Sequence, residues 1–113
     1  MIEIYHNNRC RKSREGLSIL ENSGKEFKVI KYLEDTPTES VLREIIQIID
    51  IEPIKLVRKN EAIWKENYKG KDLSDSEIIN AMVSHPKLIE RPIVINGNKA
   101  VIGRPPEIIK TIL

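Results

Sequence analysis

The stretch Asn96-Gly97-Asn98-Lys99, set between Ile93-Val94-Ile95 and Ala100-Val101-Ile102, is the strongest constraint on what this chain can fold into. Short β-branched runs joined through Asn-Gly form antiparallel hairpins, because these turn residues accept the positive φ that a tight, correctly twisted turn needs. At the other end of the chain Ile2 and Ile4 alternate with Glu3 and Tyr5, the period of a strand with one buried face. Leu17, Ile19 and Leu20 then recur at helical spacing, Asn22-Ser23-Gly24 supplies a stop, and Phe27, Val29 and Ile30 make a second strand. Strand, helix and strand on short links give parallel neighbours. The expected architecture is α/β: a mixed sheet joining a parallel pair to an antiparallel hairpin, with helices on its faces.

Between these ends the sequence is helical. Thr36-Pro37-Thr38-Glu39 reads as a helix start with Thr36 as cap, Pro37 in the first helical position and Glu39 completing a capping box. Val41, Leu42, Ile45, Ile46, Ile48 and Ile49 follow at helical spacing. Residues 53–68 read as short helical pieces and residues 69–72 as a loop. Ser74 and Glu77 form a second capping box, opening a helix with Ile78, Ile79, Met82 and Val83 on one face and ended by His85-Pro86. Pro105-Pro106-Glu107 starts a last helix carrying Ile108, Ile109 and Ile112.

The chemistry gathers in Tyr5 to Arg14, which holds the only cysteine, Cys10, beside Arg9, Arg11, Lys12 and Arg14. A lone cysteine is most often a small buried hydrophobe. Four cations within six residues are hard to sink in an apolar core, which favours a reactive thiol here. Thiols ionise more readily near positive charge, an imidazole or a helix N-terminus, and only the thiolate is a good nucleophile. The flanking strand and helix place Cys10 at their junction, where unpaired helix N–H groups favour anions. His6 stands four residues earlier, either as a strand-end histidine bonded to backbone or as a group tuning the thiol.

Other classes are excluded by what the chain lacks. Its 113 residues allow one domain, 1–113, with a modest core, and 40% hydrophobic against 32% charged residues describe a globule and not a disordered tail. A net charge of +2 gives no reason to expect a nucleic acid partner, and no apolar run is long enough for a membrane span or a signal sequence. One cysteine and no address make the cytoplasm the expected location. Two histidines and one cysteine form no metal spacing, so no metal and no bound cofactor are expected. Arg58, Arg91 and Arg104 each fall at an element boundary, and arginine's planar fork of donors suits tetrahedral oxyanions, though each alone reads more readily as a surface arginine than as a ligand.

Several motifs in order carry a resemblance: Ile-Tyr-His-Asn at 4–7, Cys-x-x-Ser-Arg at 10–14, Lys-Tyr-Leu-Glu at 31–34, Arg-Lys-Asn at 58–60, Arg-Pro-Ile-Val at 91–94 and Gly-Arg-Pro at 103–105. Over nearly its whole length the chain resembles the glutaredoxin-coupled arsenate reductase family. The resemblance implies a thioredoxin-like fold with an inserted helical segment and a cis peptide bond before Pro92. It further implies Cys10 as the nucleophile toward arsenate or another oxyanion, Arg58, Arg91 and Arg104 as oxyanion ligands, and His6, Asn7, Ser13 and Arg14 around the thiolate. With no second cysteine and Ser13 in the usual resolving position, glutathione is the implied thiol co-substrate and glutaredoxin the implied reductant. Asn8 stands where the family usually has proline, and Arg11-Lys12 where it has a small Gly-Thr pair. Two other activities on this fold stay open: a glutathione-dependent thiol oxidoreductase acting on mixed disulfides, and a transcriptional regulator that binds RNA polymerase.

Overall fold

The computed structural model describes residues 1–113. The chain gathers into two compact units, one made of Met1–Asp35 with Arg91–Leu113 and the other of Thr36–Glu90. The first holds β1 (Ile2–Tyr5), α1 (Arg11–Asn22), β2 (Phe27–Ile30), β3 (Ile93–Asn96) and β4 (Lys99–Ile102), followed by a 3-10 helix, Pro106–Ile112. The strands form one sheet in the order β2-β1-β3-β4, parallel between β1 and β2 and antiparallel elsewhere. This is the mixed sheet expected from the sequence.

Register decides what meets at the end of this sheet. Tyr5, the last residue of β1, pairs with Ile93, the first of β3, and Ile93 pairs in turn with Ile102, the last of β4. The loop after β1, the Arg91-Pro92 segment before β3 and the Gly103-Arg104 segment after β4 therefore arrive at one edge. The Gly103 N–H donates to the Pro92 carbonyl at 2.7 Å, tying two of these segments together. The Arg91-Pro92 peptide bond is cis, and so is Arg104-Pro105, which the sequence did not suggest.

Ile2, Ile4, Leu20, Val94, Ile109 and Ile112 form the core on one sheet face, with Leu17, Phe27 and Val101 packed against it. Alternation in β1 sends Ile2 and Ile4 to the same side, and α1 contributes Leu20. The closing element differs from the expected α-helix. It is 3-10 throughout, with the Ile108 N–H donating to the Pro105 carbonyl at 3.1 Å. Pro105 and Pro106 offer no N–H, and a three-residue repeat stacks Pro106, Ile109 and Ile112, all buried, on one face.

The hairpin turn is tighter than the sequence reading placed it. Asn96 and Lys99 are paired strand residues, leaving the two-residue turn Gly97-Asn98 with φ of 62° at Gly97. A glycine at positive φ in the first central position is the signature of a type II′ turn.

The second unit contains α2 (Glu39–Ile49), α3 (Ala62–Asn67) and α4 (Asp75–Ser84), with 3-10 turns at Pro53–Leu56 and Pro86–Leu88 and an antiparallel bridge from Val57 to Ile89. Leu42, Ile45 and Ile46 of α2 are buried, as are Ile78, Ile79, Ala81 and Met82 of α4, while Val83 is only half-buried. The Ser74 and Glu77 capping box is present in both directions. At α2 the cap is Thr38 and not Thr36: the Thr38 hydroxyl accepts the Val41 N–H at 3.2 Å. Glu39 is consequently the first helical residue, too early to reach back as a box partner, and its carboxylate pairs with Arg43 at 2.9 Å.

Gly103 lies where a side chain cannot fit, since a Cβ there would stand 2.9 Å from both Ile109 Cδ1 and Pro92 Cγ. Overpacking of this kind costs about 1–3 kcal/mol. Gly103→Ala is expected to lower stability by that amount in urea unfolding, and an unchanged midpoint would show that the contact relaxes freely.

Candidate active site

Cys10 is the N-cap of α1, with φ −97° and ψ 122°. Helix N-terminal N–H groups have no intrahelical acceptor, and here those of Lys12 and Ser13 favour the anion of the sulfur, although the Cys10 side chain closes no capping hydrogen bond. The thiol is partly exposed.

The loop that presents it is held by a set of hydrogen bonds. The Asn7 N–H donates to Ser13 Oγ at 2.9 Å, the Arg9 N–H to Asn7 Oδ1 at 3.0 Å and the Cys10 N–H to the Asn7 carbonyl at 3.0 Å. Arg14 Nη1 donates to the Asn8 carbonyl at 3.0 Å, so this cation serves the loop backbone. His6 and Ser13, both buried, bond each other at 2.7 Å between Nδ1 and Oγ, and His6 Nε2 lies 3.0 Å from Asn8 Oδ1. The Ser13 side chain thus turns to His6, while its backbone N–H favours the anion of the sulfur.

Two of the three boundary arginines reach Cys10. Arg104 Nη2 donates to Sγ at 3.6 Å, and Arg104 Nε donates to the Arg91 carbonyl at 2.8 Å, which braces the guanidinium on the neighbouring segment. Arg91, buried, adds a side-chain hydrogen bond and its charge. Arg58 belongs to the other unit, where its Nη1 lies 2.6 Å from Glu61 and its Nε 3.7 Å from Glu90, with its backbone N–H on the Leu88 carbonyl at 2.7 Å. Sequence reading missed both carboxylates. Glu61 lies three residues after Arg58 and was open to a spacing argument, whereas Glu90 comes close only through the bridge between Val57 and Ile89.

Opposing effects act on the thiol. Partial burial is the largest and pushes its pKa up. The Ser13 N–H, the Arg91 hydrogen bond and charge, and the Lys12 N–H push it down and together prevail, so Cys10 ionises more readily than an ordinary thiol. A lone, low-pKa sulfur with guanidinium donors beside it can attack an electrophile and hold negative charge as it does so.

A thioredoxin-like sheet presenting one activated cysteine at a helix N-terminus, beside a cis-proline segment, defines a thiol-based oxidoreductase class of architecture. Residues 5–112 match the ArsC family, and the chain belongs to that family. It is 45% identical over 108 residues to the uncharacterized protein YfgD of Escherichia coli K12, covering 94% of this chain and 91% of that one. It is 43% identical over 112 residues to an arsenate reductase of Haemophilus influenzae, covering 97% of each. Among solved structures, an arsenate reductase from Vibrio cholerae superposes with a TM-score of 0.95 at 46% identity, over 99% of this chain and 97% of that one.

The lowered pKa has a signed consequence for stability. A group that ionises more easily when folded contributes stability that is fully present above its unfolded pKa and lost as pH falls through its folded pKa. In urea unfolding, wild type is expected to gain on Cys10→Ser as pH rises across that alkaline window. Arg91→Met and Arg104→Met are each expected to move the midpoint of the iodoacetamide rate against pH upward, and an unmoved midpoint would remove the arginines from the account.

Proposed function

We propose that this protein is an arsenate reductase of the glutathione and glutaredoxin type, with Cys10 as its nucleophile. The observation that carries this reading is the Cys10 sulfur at the start of α1 with Arg91 and Arg104 on it, because donors that hold a thiolate also suit the oxygens of a tetrahedral anion. The names of the relatives point the same way.

In this mechanism the Cys10 thiolate attacks arsenic(V) and displaces one oxygen, which leaves as water after protonation, forming a sulfur–arsenic bond. Arg91 and Arg104 hold the remaining oxygens and offset their charge as the bond forms. Glutathione brings the second sulfur. Two thiols become one disulfide between Cys10 and glutathione, and their two electrons reduce arsenic(V) to arsenic(III), which leaves as arsenite. Glutaredoxin then returns Cys10 to its thiol by exchange. Beside the nucleophile's loop a cavity of about 330 Å³, lined by His6, Asn7, Asn8, Arg9, Lys31, Leu33 and Glu34, offers room for the incoming thiol.

The test is arsenate-dependent NADPH consumption with glutathione, glutaredoxin and glutathione reductase present. Wild type is expected to turn over and Cys10→Ser to be inactive, while equal activity in the two ends the proposal. Arg104→Lys keeps the charge and loses the fork, so the KM for arsenate is expected to rise about tenfold with Cys10 still alkylated. Activity on a glutathionylated peptide in the absence of any on arsenate would favour the thiol oxidoreductase reading.

A further inference from the structure

The ring of His6 meets two side chains, and counting hydrogens among the three assigns its tautomer. Ser13 is fully buried, so its hydroxyl proton needs an acceptor within the protein. The Ser13 oxygen already accepts the Asn7 N–H at 2.9 Å, and His6 Nδ1 stands 2.7 Å away. With a proton on Nδ1, two N–H groups would point at the Ser13 oxygen and the hydroxyl proton would be stranded, a costly state for a hydroxyl with no solvent exposure. With Nδ1 bare, it takes that proton, and the neutral ring carries its own hydrogen on Nε2. The group 3.0 Å from Nε2 is the Asn8 side-chain oxygen. The same count fixes the Asn8 amide, whose NH2 end in that place would force the proton back to Nδ1.

We propose that Asn8 is a positioning residue: by accepting the Nε2 proton it holds His6 in the tautomer that takes the Ser13 hydroxyl proton, leaving the thiolate of Cys10 to backbone N–H groups and guanidinium groups. The three side chains form a lock running from the exposed Asn8 through buried His6 to buried Ser13. At its inner end the Ser13 oxygen receives the Asn7 N–H, so the lock sets the path of the loop that presents the nucleophile. Asn8 touches neither the sulfur nor an oxyanion in this scheme, and because it also lines the cavity given to the incoming thiol, the tautomer and not turnover is the readout of its action on the ring. It acts through His6.

The chain has two histidines, His6 and His85, so histidine labelled with a heavy nitrogen isotope yields two imidazoles, and the second reports whether a variant is folded. At a pH where both rings are neutral, long-range proton–nitrogen correlation is expected to show His6 protonated at Nε2 and bare at Nδ1. Asn8→Ala removes one of the two contacts that favour the Nε2 proton, leaving that of Ser13, and is expected to bring in a fraction of the Nδ1-protonated form, whereas Asn8→Asp, which keeps the oxygen, is expected to retain a proton on Nε2. Arsenate turnover by Asn8→Ala, a readout that rests on the function proposed above, is expected to fall about three- to tenfold, the range of one ordinary hydrogen bond. The spectrum needs no turnover, so failure of the lock and failure of that function are separate results. Protonation at Nδ1 in wild type overturns the inference without recourse to any variant, as does an unchanged His6 pattern in folded Asn8→Ala.

Discussion

The first turn of α1 carries N–H groups that no helical carbonyl can reach, and the sulfur of Cys10 is the group the fold sets against them. An anion there is favoured by the aligned peptide dipoles as well as by the individual hydrogen bonds. Everything else at this end of the sheet keeps the sulfur in that position. Asn7 folds the loop through its side chain and its carbonyl, Arg14 takes the Asn8 carbonyl, and Ser13 takes the Asn7 N–H. A loop bonded this way is held in place before any substrate arrives, which is what efficient attack requires.

Charge balance explains why the cationic donors are arginines in segments and not lysines on helices. Burying a guanidinium such as that of Arg91 is costly unless it is paired, and a thiolate beside it offers such pairing. Arg104 gains direction from its Nε bond to the Arg91 carbonyl, which leaves Nη2 aimed at the sulfur. The pairings Tyr5 with Ile93 and Ile93 with Ile102 are what bring residues 10, 91 and 104 together from distant parts of the chain. Arg58 shows the alternative, a guanidinium whose charge is met within its own unit by Glu61 and Glu90.

What could be read from the sequence was local in origin. The hairpin, the strand-helix-strand start, the Ser74 capping box and the helix N-terminus at Cys10 all follow from residues within a few positions of each other, so their signals survive without tertiary information. The choice of Thr38 over Thr36 was not legible, because both threonines can cap and both registers present the same apolar face. The 3-10 closure was missed because the triplet spacing of Pro106, Ile109 and Ile112 resembles an α-helical stripe until the core shows which repeat fills it. Within the site, Cys10 was singled out on charge and position, and Arg91 and Arg104, with Arg58, through the family resemblance; the sheet register unites residues 10, 91 and 104. The role of Asn8 was hidden, since a hydrogen count around a ring needs to know which atoms are within reach.

The central claim is that a folded protein holds this one sulfur as an anion more easily than water does. Thiolate has an ultraviolet absorbance that the thiol lacks, so titrating wild type against a Cys10→Ser blank reads the ionisation of Cys10 alone. The account requires a midpoint below that of an ordinary cysteine, about 8.5. A midpoint at or above that value would mean that burial outweighs the helix end and the arginines, and it would contradict the account.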